Sequence, residues 1–212
     1  PTHPEARVAQ ILEDARPTVL LTSEALRSTL SPPDLRTICI DDGVEEAGCE
    51  ADEVMPVPRR DQVCYVVFTS GSTGRPKGVE LTHGGLASHF RSVLKEPGLR
   101  PGEHMVALTT VTFDIAALEL LMPLTVGAML EIVDRATAMD GAALSAVLEA
   151  RPKCLVFATP GTWRMLVESG WKGSPDTRVL IGGEVLPLAL ADALSLRVGE
   201  LWNIYGPTET TI

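Results

Sequence analysis

Short apolar runs of strand type recur along this chain with helical stretches between them, and no other feature limits its fold so strongly. "PEARVAQILEDA" sets Val8, Ile11, Leu12 and Ala15 on one helical face, and "TVLL" follows as a short apolar run. Further candidate strands are "RTICI" (36–40), "VCYVVFT" (63–69), "HMVALT" (104–109), "AMLEIV" (128–133), "CLVFAT" (154–159), "RVLIGG" (178–183) and "ELWNIYG" (200–206). Between them stand stretches such as "GAALSAVLEAR" and "TPGTWRMLVES" with helical periodicity. Near-continuous Val, Ile and Leu content suits strands buried on both faces, and the intervening helices supply the cover. The expected fold class is α/β, with a layered, largely parallel β-sheet and flanking helices. At 212 residues the chain buries roughly 70% of its unfolded surface, enough for a core without disulfides or metal.

Charge and cysteine usage remove several functions. Lys and Arg number 18 against 28 Asp and Glu, a formal net charge of −10, and no basic block offers a footprint for a phosphodiester backbone. Nucleic acid is therefore not an expected partner. Cys39, Cys49, Cys64 and Cys154 are scattered, and the histidines lack ligand spacing, which argues against structural zinc. No apolar run approaches the roughly 20 residues that span a bilayer, so no membrane partner is expected and the location read from the sequence is cytoplasmic. The acidic, Pro-containing segment 41–62 reads as a surface connection.

In a parallel sheet ligands sit beyond the carboxyl ends of the strands. The stretch "FTSGSTGRPKGVELTH" (68–83) follows the apolar run "CYVVF", and a helix is expected to restart after Thr82, an acceptable N-cap. Gly71, Gly74 and Gly78 allow tight turning and close approach of backbone N–H groups to an anion. Thr69, Ser70, Ser72 and Thr73 add hydroxyl donors, and Lys77 adds a mobile cation. This combination suits a polyphosphate. It is not the P-loop of the common NTPases, because Pro76 stands where the second glycine of that motif belongs and Lys77 is followed by Gly78.

The whole string "YVVFTSGSTGRPKGVELTH" closely resembles the phosphate-binding signature of the adenylate-forming superfamily, which includes acyl-CoA synthetases, firefly luciferase and the adenylation domains of nonribosomal peptide synthetases. "LTTVTFDIAALELLMPLTVGA" (108–128), "VLIGGEVLP" (179–187) and "LWNIYGPTETTI" (201–212) resemble further motifs of that superfamily in the same order. The resemblance implies that ATP and Mg²⁺ are the cofactors. Residues 69–78 would cradle phosphate, Thr208 would contact phosphate and Glu209 would ligate Mg²⁺, a hard cation that prefers oxygen. Tyr205, with Gly206 beside it, would pack against adenine, and Asn203 with Gly182, Gly183 and Glu184 would edge the base.

Phe113 and Asp114 point within the superfamily to amino-acid activation, since in such members the aspartate after this aromatic residue pairs with the substrate ammonium. Asp114 also suits a plain helix cap for "IAALELLM". By the same resemblance the acyl pocket would include Ile115, Leu118, Phe157, Leu180, Gly182, Ile204 and Ile212, positions that equally suit ordinary core. All are apolar or glycine, which implies a small or neutral apolar amino acid, because an unpaired buried polar group costs a few kcal/mol. The chain would be one α/β region, residues 1–212, forming the central part of an adenylation domain without its N-terminal segment or its C-terminal lid. Its product, an aminoacyl-AMP, would pass to the phosphopantetheine arm of a carrier protein, with neighbouring synthetase domains as partners. An acyl- or aryl-CoA ligase, and a non-catalytic nucleotide-binding fragment, stay open as alternatives at this point.

Overall fold

Successive residues of a strand point to opposite faces, and the central strands of this protein bury both faces. A computed structural model describes residues 3–30, 32, 34–41, 56–70, 75–151 and 153–212. In chain order the elements are α1 (Glu5–Ala15), β1 (Val19–Thr22), α2 (Glu24–Leu30), β2 (Arg36–Cys39), β3 (Val63–Ser70), β4 (Pro76–Thr82), α3 (His83–Lys95), β5 (His104–Ala107) and α4 (Ile115–Val126). There follow β6 (Met129–Ile132), α5 (Arg135–Ala138), α6 (Gly141–Glu149), β7 (Cys154–Ala158), α7 (Pro160–Glu168), β8 (Ser174–Ile181), α8 (Leu188–Ser195), β9 (Val198–Asn203) and a 3₁₀ turn (Thr208–Thr210).

The last five strands make one parallel sheet in the order β6-β5-β7-β8-β9. Its side chains divide by alternation. Val106, Cys154, Val156, Ala158, Val179 and Ile181 pack with Leu144 and Leu148 of α6, Trp163 and Leu166 of α7, and Leu190 and Leu194 of α8. Met105, Leu155, Phe157 and Leu180 pack on the other face with Leu86, Phe90 and Val93 of α3 and Leu118 and Met122 of α4. Right-handed crossovers explain the division: the chain steps one way from β5 to β6 and the other way from β6 to β7, so the connecting helices fall on opposite faces. Each fully buried large side chain of these layers contributes about 1.5–3 kcal/mol.

Layered α/β architecture is as the sequence predicts, with two differences. The described strands form three sheets, because β1 and β2 pair in parallel by themselves and β3 pairs with β4 in antiparallel register. Residues 76–82, expected as loop between a strand and a helix, are the strand β4. The strand is hidden in the sequence by Gly78 and the charges of Lys77 and Glu80, which lie exposed, while Pro76 and Leu81 are buried without a regular alternation. The expected N-cap is present: Thr82 Oγ1 accepts the Gly85 N–H at 3.1 Å. Residues 56–62 are irregular and exposed, as read for a surface connection, and 42–55 lie outside the described residues, as does Cys49. Among the described residues no helix is long and apolar enough to cross a membrane.

Candidate functional site

The strand order reverses at β5, whose neighbours β6 and β7 carry the chain off in opposite directions. The connections leaving the carboxyl ends of β5 and β7 therefore diverge, and a crevice opens between them, as is general for such a switch point. A cavity of about 310 Å³ is lined there by Leu108, Thr109, Thr110, Phe113 and Ile115 after β5, by Phe157 to Thr159 and Thr162 at the end of β7, and by Gly183 and Glu184 after β8. Gly183 has φ +81°, a left-handed conformation that favours glycine. Gly182 is held for a different reason. A Cβ there would lie 2.7 Å from the Ile204 carbonyl oxygen and 3.1 Å from the Phe157 ring, so the ends of β8 and β9 approach closely only around a glycine.

Phe113 also borders a second cleft of about 200 Å³, shared with Asp114, Thr112, Val67 to Ser70, Thr208, and His3 and Arg7 from the N-terminal side. Thr69 lies directly opposite Lys77 across the β3–β4 pair, which sets both side chains on one face of that ribbon. Gly71, Ser72, Thr73 and Gly74, the tip of the expected phosphate loop, lie outside the described residues. Ser70 ends β3, and Gly78 sits within β4 rather than in a loop. The 3₁₀ turn with Thr208 and Glu209 packs against β4. Asn203 ends β9 and is exposed, as are Gly206 and Glu209, and the Tyr205 ring is 94% exposed.

Among the described residues no cluster of three His, Cys, Asp or Glu side chains is suited to hold a metal ion. Glu209 is thus a single exposed carboxylate. That fits Mg²⁺, which commonly takes one or two carboxylates and completes its shell with substrate phosphate and water.

Asp114 is 8% exposed, and its Oδ1 accepts the N–H of Ile115 at 2.8 Å. Its own backbone is helical, at φ −60° and ψ −35°, and the Ala116 N–H is taken by the Phe113 carbonyl. A typical cap instead has extended backbone and reaches the second or third residue ahead. Capping is therefore a weak account of why a carboxylate is buried here. Two other buried polar atoms, the Tyr65 hydroxyl and His89 Nε2, have no hydrogen-bond partner among the described residues. Burial pushes the Tyr65 hydroxyl up to about 12, helped by the charge of Asp114, whereas burial lowers the His89 pKa against the pull of that same charge.

The positions expected for an acyl pocket are brought together, though not all as a lining. Leu118 and Leu180 are fully buried and Phe157 is 2% exposed, in one apolar cluster against which Ile115, Ile204 and Ile212 pack. Of these, Ile115 and Phe157 also border the crevice, while Leu118 and Leu180 lie in the core.

The entire chain, residues 1–212, matches the family described as AMP-binding enzyme. The chain belongs to that family. It is 37% identical over 217 residues to a dimodular nonribosomal peptide synthase of Bacillus subtilis (strain 168), covering 100% of this chain and 9% of that protein. It is 32% identical over 215 residues to phosphinothricin tripeptide synthetase PhsC of Streptomyces viridochromogenes, covering 100% of this chain and 19% of that one. The chain thus spans less than a fifth of either relative. Among solved structures, holo-AB3403, a four-domain nonribosomal peptide synthetase bound to AMP and glycine, superposes with a TM-score of 0.89 at 36% identity, over 100% of this chain and 15% of that one. The N-terminal subdomain of Klebsiella oxytoca NpsA, in complex with 3-hydroxybenzoyl-AMSN, shares the fold with a TM-score of 0.81 at 22% identity, over 99% of this chain and 53% of that chain.

Within this AMP-binding fold several lining residues were not among the expected site residues. Thr109, Thr110, Thr159 and Thr162 put hydroxyl-bearing side chains around the crevice. Thr159 was legible in part, since Thr-Pro before an apolar periodic run is a helix-start signal, and its side chain does cap α7 through the Thr162 N–H. His89 has no such signal, and Tyr65 merely opens the string that carries the expected phosphate loop. Their relation to Asp114 arises from packing β3 and α3 against the start of α4.

Proposed function

We propose that this chain is the core of an amino-acid-activating adenylation domain of a nonribosomal peptide synthetase. In the proposed reaction a carboxylate oxygen of a small or apolar amino acid attacks the α-phosphorus of ATP, an acyl phosphate anhydride forms, and pyrophosphate leaves. The observation that carries the reading is one cleft shared by Thr69, Ser70 and Thr208, suited to phosphate, and by the buried carboxylate of Asp114, suited to an ammonium.

Such a reaction asks a protein for position and for dispersal of phosphate charge. The hydroxyls of Thr69, Ser70 and Thr208 and the ammonium of Lys77 would serve the phosphate oxygens. Asp114 would orient the amino acid by its ammonium, leaving the carboxylate free to face phosphate. Mg²⁺, when bound, would disperse polyphosphate charge, and Glu209 is the residue that would hold it. Asn203, Tyr205, Gly206 and residues 182–184, at and beyond the carboxyl ends of β8 and β9, would take the base. A modest side chain is supported by the apolar set Ile115, Phe157, Ile204 and Ile212, and by the glycine found with the 36% identical synthetase. The acyl group would then pass to a carrier-protein phosphopantetheine thiol.

Two measurements test this. With the chain carried in a full adenylation domain, amino acids should drive ATP–pyrophosphate exchange and simple carboxylic acids should not; exchange with an acyl or aryl acid alone would make the protein a CoA-ligase type. Lys77→Ala should weaken Mg·ATP binding by about 1.5–3 kcal/mol, the usual worth of a charge-assisted hydrogen bond. Unaltered affinity in a titration of that variant would remove Lys77 from the site.

A further inference from the structure

Helix α4 reads "IAALELLMPLTV", and apart from Thr125 its one polar residue is Glu119. Glu119 is fully buried. Its Oε2 accepts the backbone N–H of Thr109 at 2.9 Å, while Oε1 has no partner among the described residues. A carboxyl half satisfied in an apolar layer is costly, and an apolar residue of similar volume is commonly neutral or better for stability at such a place. Packing therefore does not account for Glu119. Its one strong contact does point somewhere: Thr109 lies just past the end of β5, where the backbone leaves the sheet and its N–H groups lose their ladder partners.

We propose that Glu119 is the positioning residue of the crevice, holding the β5–α4 loop through Thr109 so that Thr109, Thr110 and Phe113 line it. This rests on the reading of the crevice as the nucleotide and substrate site. The end of the loop is joined to α4 by the Phe113 carbonyl, which accepts the Ala116 N–H. A further backbone bond, from the Phe113 N–H to the Thr110 carbonyl, shapes the turn, and neither bond reaches Thr109. Glu119 holds the start of the loop, at Thr109, from the first turns of α4, whose start carries Asp114, so the loop and the aspartate are located by one rigid element.

The test compares Glu119→Gln, which keeps an oxygen to accept the N–H, with Glu119→Leu, which does not, in the 212-residue chain. Amide exchange at Thr109 should stay close to wild type in the Gln variant and quicken about 100-fold in the Leu variant, as for an amide released from a buried acceptor. AMP affinity, followed by amide shifts of Thr109, Thr110 and Phe113, should be retained in Gln and fall about tenfold or more in Leu. The melting temperature of the Leu variant should not fall in step. Unchanged Thr109 exchange in the Leu variant overturns the proposal, and so does unchanged AMP affinity once exchange has quickened. If the Leu variant does not fold, a through-hydrogen-bond NMR coupling between Thr109 N and the Glu119 carboxyl carbon in the wild type decides, and its absence overturns the proposal. Failure of the wild type to bind AMP would instead count against the crevice reading, with Thr109 exchange still deciding whether Glu119 holds the loop.

Discussion

Asp114→Ala abolishes amino-acid-dependent pyrophosphate exchange in a full adenylation domain bearing this chain, while ATP binding and the melting temperature stay close to wild type. That is the expected result if Asp114 holds the substrate ammonium. The carboxylate is 8% exposed, so removing it would leave the ammonium of a bound amino acid buried without its counter-charge. Such losses cost about 3–5 kcal/mol, several hundredfold or more in affinity. A capping role predicts the reverse pattern, a stability loss of about 1 kcal/mol with exchange intact. The geometry already makes the cap poor, because Oδ1 reaches only the adjacent Ile115 N–H. Exchange and thermal unfolding measured on the same variant separate the two, and retained amino-acid exchange would remove both the ammonium contact and the amino-acid preference built on it.

The parts of the protein legible in its sequence are those whose signal is local. Strands β5 and β7 and the last residues of β8 announce themselves by apolar runs because both of their faces are covered, and α3 by the Thr82 cap. Strand β4 was not legible, since a strand of an isolated two-stranded ribbon needs to bury only part of one face, and Pro76, Gly78 and Glu80 read as loop. The candidate site divides in the same way. Phe113, Asp114 and the glycines at 182 and 183 stand out within recognisable strings, whereas Tyr65 and Glu119 lie in such strings unmarked and, like His89, acquire meaning only when β3, α3 and α4 meet. Leu118 and Leu180 show the converse: apolar residues in a motif look the same whether they line a pocket or fill the core behind it.

Strand order explains why so few elements suffice to build the crevice. Its lining comes from the carboxyl ends of β5, β7 and β8, three adjacent strands of one sheet, and each contributes a short connection. At the start of the loop that follows β5, Leu108 packs against the apolar layer formed with α6, α7 and α8. From the α4 side the buried carboxyl of Glu119 holds the next residue, Thr109.

That carboxyl should make stability depend on pH in a way Glu119→Gln removes. Burial pushes Glu119 up from 4.5 to about 7, opposed by the polar groups of Thr109 and the Leu108 backbone beside it, and no neighbouring charge contributes to the shift. The sign follows from proton counts. Below pH 4.5 the group is neutral in folded and unfolded chains alike, and it costs nothing differential. Between 4.5 and 7 the unfolded chain ionises while the folded chain keeps its proton, so the folded state binds more protons and loses stability as pH rises. Above 7 both are ionised, and the accumulated penalty levels off at about 3 kcal/mol. Glutamine does not titrate. In urea unfolding from pH 4.5 to 8, the stability of Glu119→Gln relative to wild type should therefore climb by about that amount and flatten above neutrality. The buried His89 and the other carboxylates are common to both proteins and cancel in the difference. Parallel stability curves across that range would mean that the Glu119 carboxyl is better solvated or better partnered in solution than its place in α4 implies.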